Sequence, residues 1–127
     1  MNKSLYERIG GEPALMAAVD LFYTKVLENE LTRPFFSALS MDAQIKKQIA
    51  FMTWAFGGPE SYKGRDLAAA HANLVKNRGL DDRHFDAVVG SLEQALVELE
   101  IQRDLIDEVL VVVGTTRQAV LGRRQDP

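Results

Sequence analysis

The sequence predicts a single all-α domain, and three observations carry that prediction. Apolar residues recur at spacings of three and four along almost the whole chain, as Leu15, Val19, Phe22, Tyr23 and Val26 do; this is the period of an amphipathic helix. The runs are punctuated by strong helix starts and stops, Gly10-Gly11, Gly57-Gly58-Pro59 and Gly79. The one β-branched run, VLVVVG at 109–114, has no partner strand and reads as a buried helix segment.

The elements follow in order. A helix is expected over 12–28, with Pro13 suited to its first turn. In the turn LTRPFFSAL, Pro34 makes a new local start with Phe35 and Phe36 inside it. Ser40 can cap a helix over 41–56, and Asp42 favours its first turn. GPESYKGR is a loop, and a helix over 66–77 carries His71 and ends at Gly79. Asp81 or Asp82 can cap a helix over 82–99, whose stripe is Val88, Val89, Leu92, Ala95, Leu96 and Leu99. His84 lies near its start and reads as a surface or capping residue. A last helix covers 103–121, and residues 123–127 look like a loose tail to the single domain of 1–127.

Composition narrows the function. At 127 residues, 46% hydrophobic and 26% charged, the chain can bury one core without staples. A net charge of −3 argues against a nucleic-acid surface. The absence of cysteine removes disulfides, thiolate metal sites and cysteine nucleophiles. The N-terminus has no apolar run of the signal-peptide kind, and no stretch approaches the roughly 18 apolar residues of a membrane span. A soluble, cytoplasmic protein is expected.

Polar residues then interrupt three apolar faces. On the 41–56 helix, Gln44 and Gln48 share a sector with Phe51, Met52 and Ala55, while Lys46, Ala50 and Thr53 lie opposite. Tyr23 sits on the stripe of Leu15, Met16, Val19 and Val26. His71 shares a face with Leu67, Leu74 and Val75. A buried amide without partners costs about 1–3 kcal/mol, and a buried phenol usually finds a partner. Each residue has an ordinary reading as well: a satisfied core tyrosine, a glutamine at the edge of the buried arc, a hydrogen-bonded core histidine. Together they suit a shared polar object in the core, such as a metal cofactor with a histidine on one side and hydroxyl and amide donors on the other.

The segments LYERIGGEPAL, VDLFYTKVL, PFFSAL, Gln44…Gln48…Phe51, FMTWAFGGPESYKGR, AHANLV and LDDRHFDAVVGSL resemble the truncated haemoglobins of group I, the two-on-two helical globins. The resemblance spans nearly the whole chain and implies a truncated helical sandwich enclosing haem. It implies that His71 is the proximal iron ligand and that Tyr23, Gln44 and Gln48 are distal hydrogen-bonding residues. It also implies haem contacts at Phe36, Phe51, Met52, Tyr62, Lys63, Leu67 and Leu74, and a propionate contact at Lys47. Ala18, Val19, Ala55 and Val88 are guesses for a ligand tunnel, and Met52 stands where relatives often carry a bulky aromatic. Some relatives join haem covalently to a histidine in the last helix; this chain has none beyond His84, so noncovalent b-type haem is expected.

The implied function is binding of O2, and of CO and NO, for storage, transport or sensing, with no catalytic residue assigned. Two hydrogen bonds from Tyr23 and a glutamine would slow O2 release by roughly one to three orders of magnitude. Nitric oxide dioxygenase activity with an external reductase is the enzymatic alternative. A haem-free helical interaction module is the remote one. No membrane or nucleic-acid partner is expected, and a monomer is expected over a dimer.

Overall fold

The computed structural model describes residues 3–37, 40–57, 75 and 79–121, and every regular element among them is helical. In chain order these are α1 (Leu5–Arg8), α2 (Gly11–Glu28), α3 (Arg33–Phe36), α4 (Met41–Ala55), α5 (Asp82–Glu98), α6 (Arg103–Gly114) and α7 (Arg117–Val120). The helix expected over 66–77, with His71, and the tail at 123–127 lie outside the described residues, although Val75 is described and helical.

Local chemistry sets the helix boundaries. Ser4 caps α1 by accepting the Glu7 N–H at 3.2 Å. Gly10 then takes φ 118° as the N-cap of α2, a backbone conformation that L side chains rarely adopt. At the other end of α2, Asn29 turns extended and the buried Thr32 hydroxyl donates to the Val26 carbonyl at 2.7 Å. That bond satisfies one of the carbonyls a helix end leaves orphaned. Ser40 caps α4, its hydroxyl accepting the Ala43 N–H at 3.5 Å, and Gly57 at φ 83° ends it. Asp81 and His84 form a reciprocal capping box on α5. His84 is therefore a capping residue and not a surface one: its Nδ1 accepts the Asp81 N–H at 3.0 Å and its ring is buried edge-on to Phe35.

Packing gathers these helices around α2. α2 lies against both α4 and α5, α5 packs on α6, and α1 bridges α2 to α6. Leu15, Val19, Val26, Met52, Ile106 and Val109 are almost wholly buried between them. Burial of such side chains contributes about 1.5–3 kcal/mol each before entropy is counted. The Tyr6 N–H donates to the Phe56 carbonyl at 2.9 Å and pins α1 to the end of α4. Around the outside, Arg8 meets Glu108, Lys25 meets Glu98, Arg103 meets Glu93, and Arg117 meets Asp82 and Asp86. These pairs are largely exposed and add little stability one by one.

The structure corrects three details. Met16 is 50% exposed and does not belong to the buried stripe of α2, because the helices packed on α2 cover an arc centred on Val19 and Val26. Thr53 is buried, although the helical wheel sets it opposite the apolar sector. Its hydroxyl donates to the Ile49 carbonyl at 2.7 Å, so burial leaves no unmet donor. The predicted 103–121 helix is broken at Thr115 and Thr116. Their hydroxyls bond the Val112 and Val113 carbonyls at 2.6 Å and compete with the backbone ladder there. VLVVVG is helical, as the missing partner strand implied.

Candidate functional site

Where α2 packs on α4, Tyr23 of the one helix meets the backbone of Gln44 on the other. Phe22 and Tyr23 are adjacent on α2 and both are buried. The Tyr23 ring is held edge-on by Phe22, with centroids 5.0 Å apart, and by Phe36 of α3 at 5.8 Å. Such edge-to-face contacts add about 0.5–1.5 kcal/mol each beyond the buried area and fix the ring plane. The sequence marked Phe22 only as a stripe residue. Its role in orienting Tyr23 needs the ring geometry and had no sequence signal of its own.

The Tyr23 hydroxyl donates to the backbone carbonyl of Gln44 at 3.4 Å. That is long for an O–H···O bond, whose usual range is 2.5–3.0 Å, so the donor is only weakly engaged. Burial pushes the phenol up to about 12, with the Gln44 contact pulling slightly the other way. Tyr23 is therefore a protonated donor throughout the neutral range.

α4 supplies the facing wall. Gln44 and Gln48 stand one turn apart and are half-buried, at the edge of the arc that buries Phe51 and Met52. Their amides thus keep access to a polar neighbour without the full cost of burial. Phe36 is half-buried and Lys47 is exposed. Of the expected tunnel residues, Ala18 and Val19 are buried and Ala55 and Val88 half-buried. His71, Tyr62, Lys63, Leu67 and Leu74 lie outside the described residues. Among the described residues no cluster of histidine and carboxylate groups could hold a bare metal ion. The Tyr23 phenol on α2 and the amides of Gln44 and Gln48 on α4 are neutral donors, of a chemistry that can hydrogen-bond a small electron-rich ligand.

A model of the family described as bacterial-like globin matches residues 4–121. This chain belongs to the bacterial-like globin family. Its fold superimposes on the two-on-two haemoglobin of Synechococcus sp. PCC 7002 with a TM-score of 0.91 and 47% identity, over 95% of this chain and 100% of that one. The group 1 truncated haemoglobin of Synechocystis sp. is 45% identical over 111 residues, 87% of this chain and 90% of its own length. The group 1 truncated haemoglobin of Tetrahymena pyriformis is 42% identical over 125 residues, 97% of this chain and all of its own. The resemblance drawn from the sequence motifs thus holds, as does the all-helical two-on-two fold expected for this globin.

Proposed function

We propose that this globin holds b-type haem noncovalently through His71 and binds O2, CO and NO beside Tyr23, Gln44 and Gln48. The observation that carries the reading is the Tyr23 phenol: buried, kept protonated, fixed by two aromatic rings and engaged only by a 3.4 Å contact. The neutral donor set and apolar surround fit a haem ligand pocket on chemical grounds. Haem held by these residues would supply an iron that binds a diatomic ligand. The residues of this chain do the rest. Tyr23 turns its O–H from the Gln44 carbonyl toward the ligand. Gln44 or Gln48 adds a second hydrogen bond, and Phe36, Phe51 and Met52 exclude water. Lys47, exposed on α4, serves a haem propionate, and Tyr62, Lys63, Leu67 and Leu74 serve as further haem contacts.

The relatives support this assignment of donors. The Tetrahymena pyriformis protein has been solved in an Fe(III) form with single substitutions of one tyrosine and two glutamines, spaced as Tyr23, Gln44 and Gln48 are here. The Synechococcus protein is described with covalently attached heme. In this chain the histidines are His71 and His84, and His84 is committed to the α5 capping box, which favours noncovalent haem. We further infer a cytoplasmic monomer that carries or stores O2 and relies on an external reductase.

Absorption spectra of ferric, ferrous and CO-bound protein test the reading, for wild type and His71→Ala. A Soret band that shifts on CO, and whose ligation signature is lost in the variant, is expected. A colourless protein that takes up no haemin would overturn it. For the donors, Tyr23→Phe should raise the O2 dissociation rate by about tenfold or more, measured by stopped-flow displacement with CO. An unchanged rate removes Tyr23 from its role.

A further inference from the structure

His84 is buried at a junction that the ligand pocket does not use. On the α5 side its Nδ1 accepts the Asp81 N–H at 3.0 Å, so the ring is neutral there and carries its proton on Nε2. On the other side the ring lies against Phe35 of α3, with centroids 4.8 Å apart at 64°. Phe36, the next residue, lies against the Tyr23 ring at 5.8 Å. The four-residue α3 therefore touches the α5 cap through one phenylalanine and Tyr23 through the other.

The cap has two arrangements. With Nδ1 unprotonated, the reciprocal box is closed. Once protonated, Nδ1 no longer accepts the Asp81 N–H. It becomes a donor, and the Asp81 Oδ1 stands 3.3 Å away to receive it. The Asp81 N–H then loses its partner, and a positive charge is added where the first N–H groups of α5 already make the helix end positive. Arg83 hydrogen-bonds the same carboxylate and holds it below the usual carboxylate range, so it remains an acceptor. Of the charged groups on the surrounding elements, Arg117 of α7 is held by Asp82 and Asp86, and Arg33 of α3 is exposed. Lys25 and Glu28 of α2 line a groove beside Ala87, a turn farther along α5. Imidazole is the side chain whose charge ordinarily changes between about pH 5 and 8.

We propose that His84 is a pH-sensitive pin between α5 and α3: a proton on Nδ1 exchanges the capping bond for a bond to the Asp81 carboxylate, displaces α3 through Phe35 and Phe36, and loosens the hold of Tyr23 on a haem-bound ligand. The inference rests on the haem reading above. One proton passes from solvent to Nδ1 and no other covalent bond changes. The direction follows from the box, which is intact above the titration and lost as pH falls, so bound O2 leaves faster in acid.

The test follows the ¹⁵N-labelled, haem-loaded, CO-bound protein from about pH 8 to 5. The Asp81 amide signal should move with the same midpoint as the His84 ring signal, and the Phe36 and Tyr23 ring signals should move with them. The O2 dissociation rate should rise roughly twofold to fivefold over that range. His84→Gln keeps an acceptor at the third helical position, where capping boxes use glutamine, and does not titrate. Its rate should stay at the neutral-pH value throughout. Phe35→Leu should keep the Asp81 titration and flatten the rate profile. An Asp81 amide that stays still while His84 titrates, a His84 that takes up no proton in this range, or a wild-type rate profile in either variant would overturn the proposal. A protein with no Soret band overturns the haem reading instead, and the Asp81 and Phe36 signals then report whether the pin itself moves.

Discussion

Tyr23 concentrates the chemistry of the chain in one side chain. Its folded-state value of about 12 lies above the ordinary 10.0 of a free phenol. Between these values the unfolded chain loses the proton and the folded one keeps it, so the stabilisation is complete below about pH 10. It is lost as pH rises toward 12, at up to about 1.4 kcal/mol per pH unit. Urea midpoints measured from pH 9 to 12 should fall over that window, and the fall should be shallower in Tyr23→Phe. Thr32 makes a second test at this scale. It is wholly buried, and its hydroxyl holds the Val26 carbonyl. Thr32→Val keeps the shape and removes the donor, leaving a buried acceptor unmet at a cost of about 1–3 kcal/mol. A urea midpoint equal to wild type would mean that another donor replaces it.

The helix boundaries carry the next level of information, and Gly10 is the sharpest of them. At φ 118° an added Cβ would also stand 2.9 Å from the Ala14 Cβ. Gly10→Ala therefore combines backbone strain with a clash against a helix that cannot retreat, and should cost about 1–3 kcal/mol by denaturant unfolding. Gly11 at φ 70° meets nothing within 4 Å, so Gly11→Ala should cost less. An equal cost would place the penalty in the backbone alone. Capping was readable in the chain: Ser40 and Asp81 both start helices as expected. The threonine pair that ends α6 was not readable, because Thr115 and Thr116 break the helix only by turning their hydroxyls back onto it.

For the whole molecule, α2 is the shared wall of the fold, packed on both α4 and α5. A ligand bound between α2 and α4 would therefore brace the helix on which α5 also packs. Haemin that binds the folded chain and not the unfolded one stabilises it by mass action, about 2.7–4.1 kcal/mol at 100 to 1,000 times its dissociation constant. Thermal scans should show a rise of roughly 10–15 °C on adding haemin. A midpoint that haemin does not move would contradict a core haem site.

Read alone, the sequence determined the helical class, most helix starts and the identity of the polar residues on the faces of α2 and α4. Those features depend on spacing and capping within a few residues, and so they are written locally. Its glycine pairs, the tyrosine in FY and the histidine in AHANLV were together enough to indicate the family. The tertiary structure alone decided which side of each stripe is covered. It left Met16 in solvent and buried Thr53. It also brought the Tyr23 hydroxyl to the backbone carbonyl of Gln44 and set Phe22 and Phe36 against its ring. The reason is physical. Periodicity says which residues share a face, but the depth of burial and the partner of a hydroxyl depend on helices that are distant in the chain and meet only when it folds.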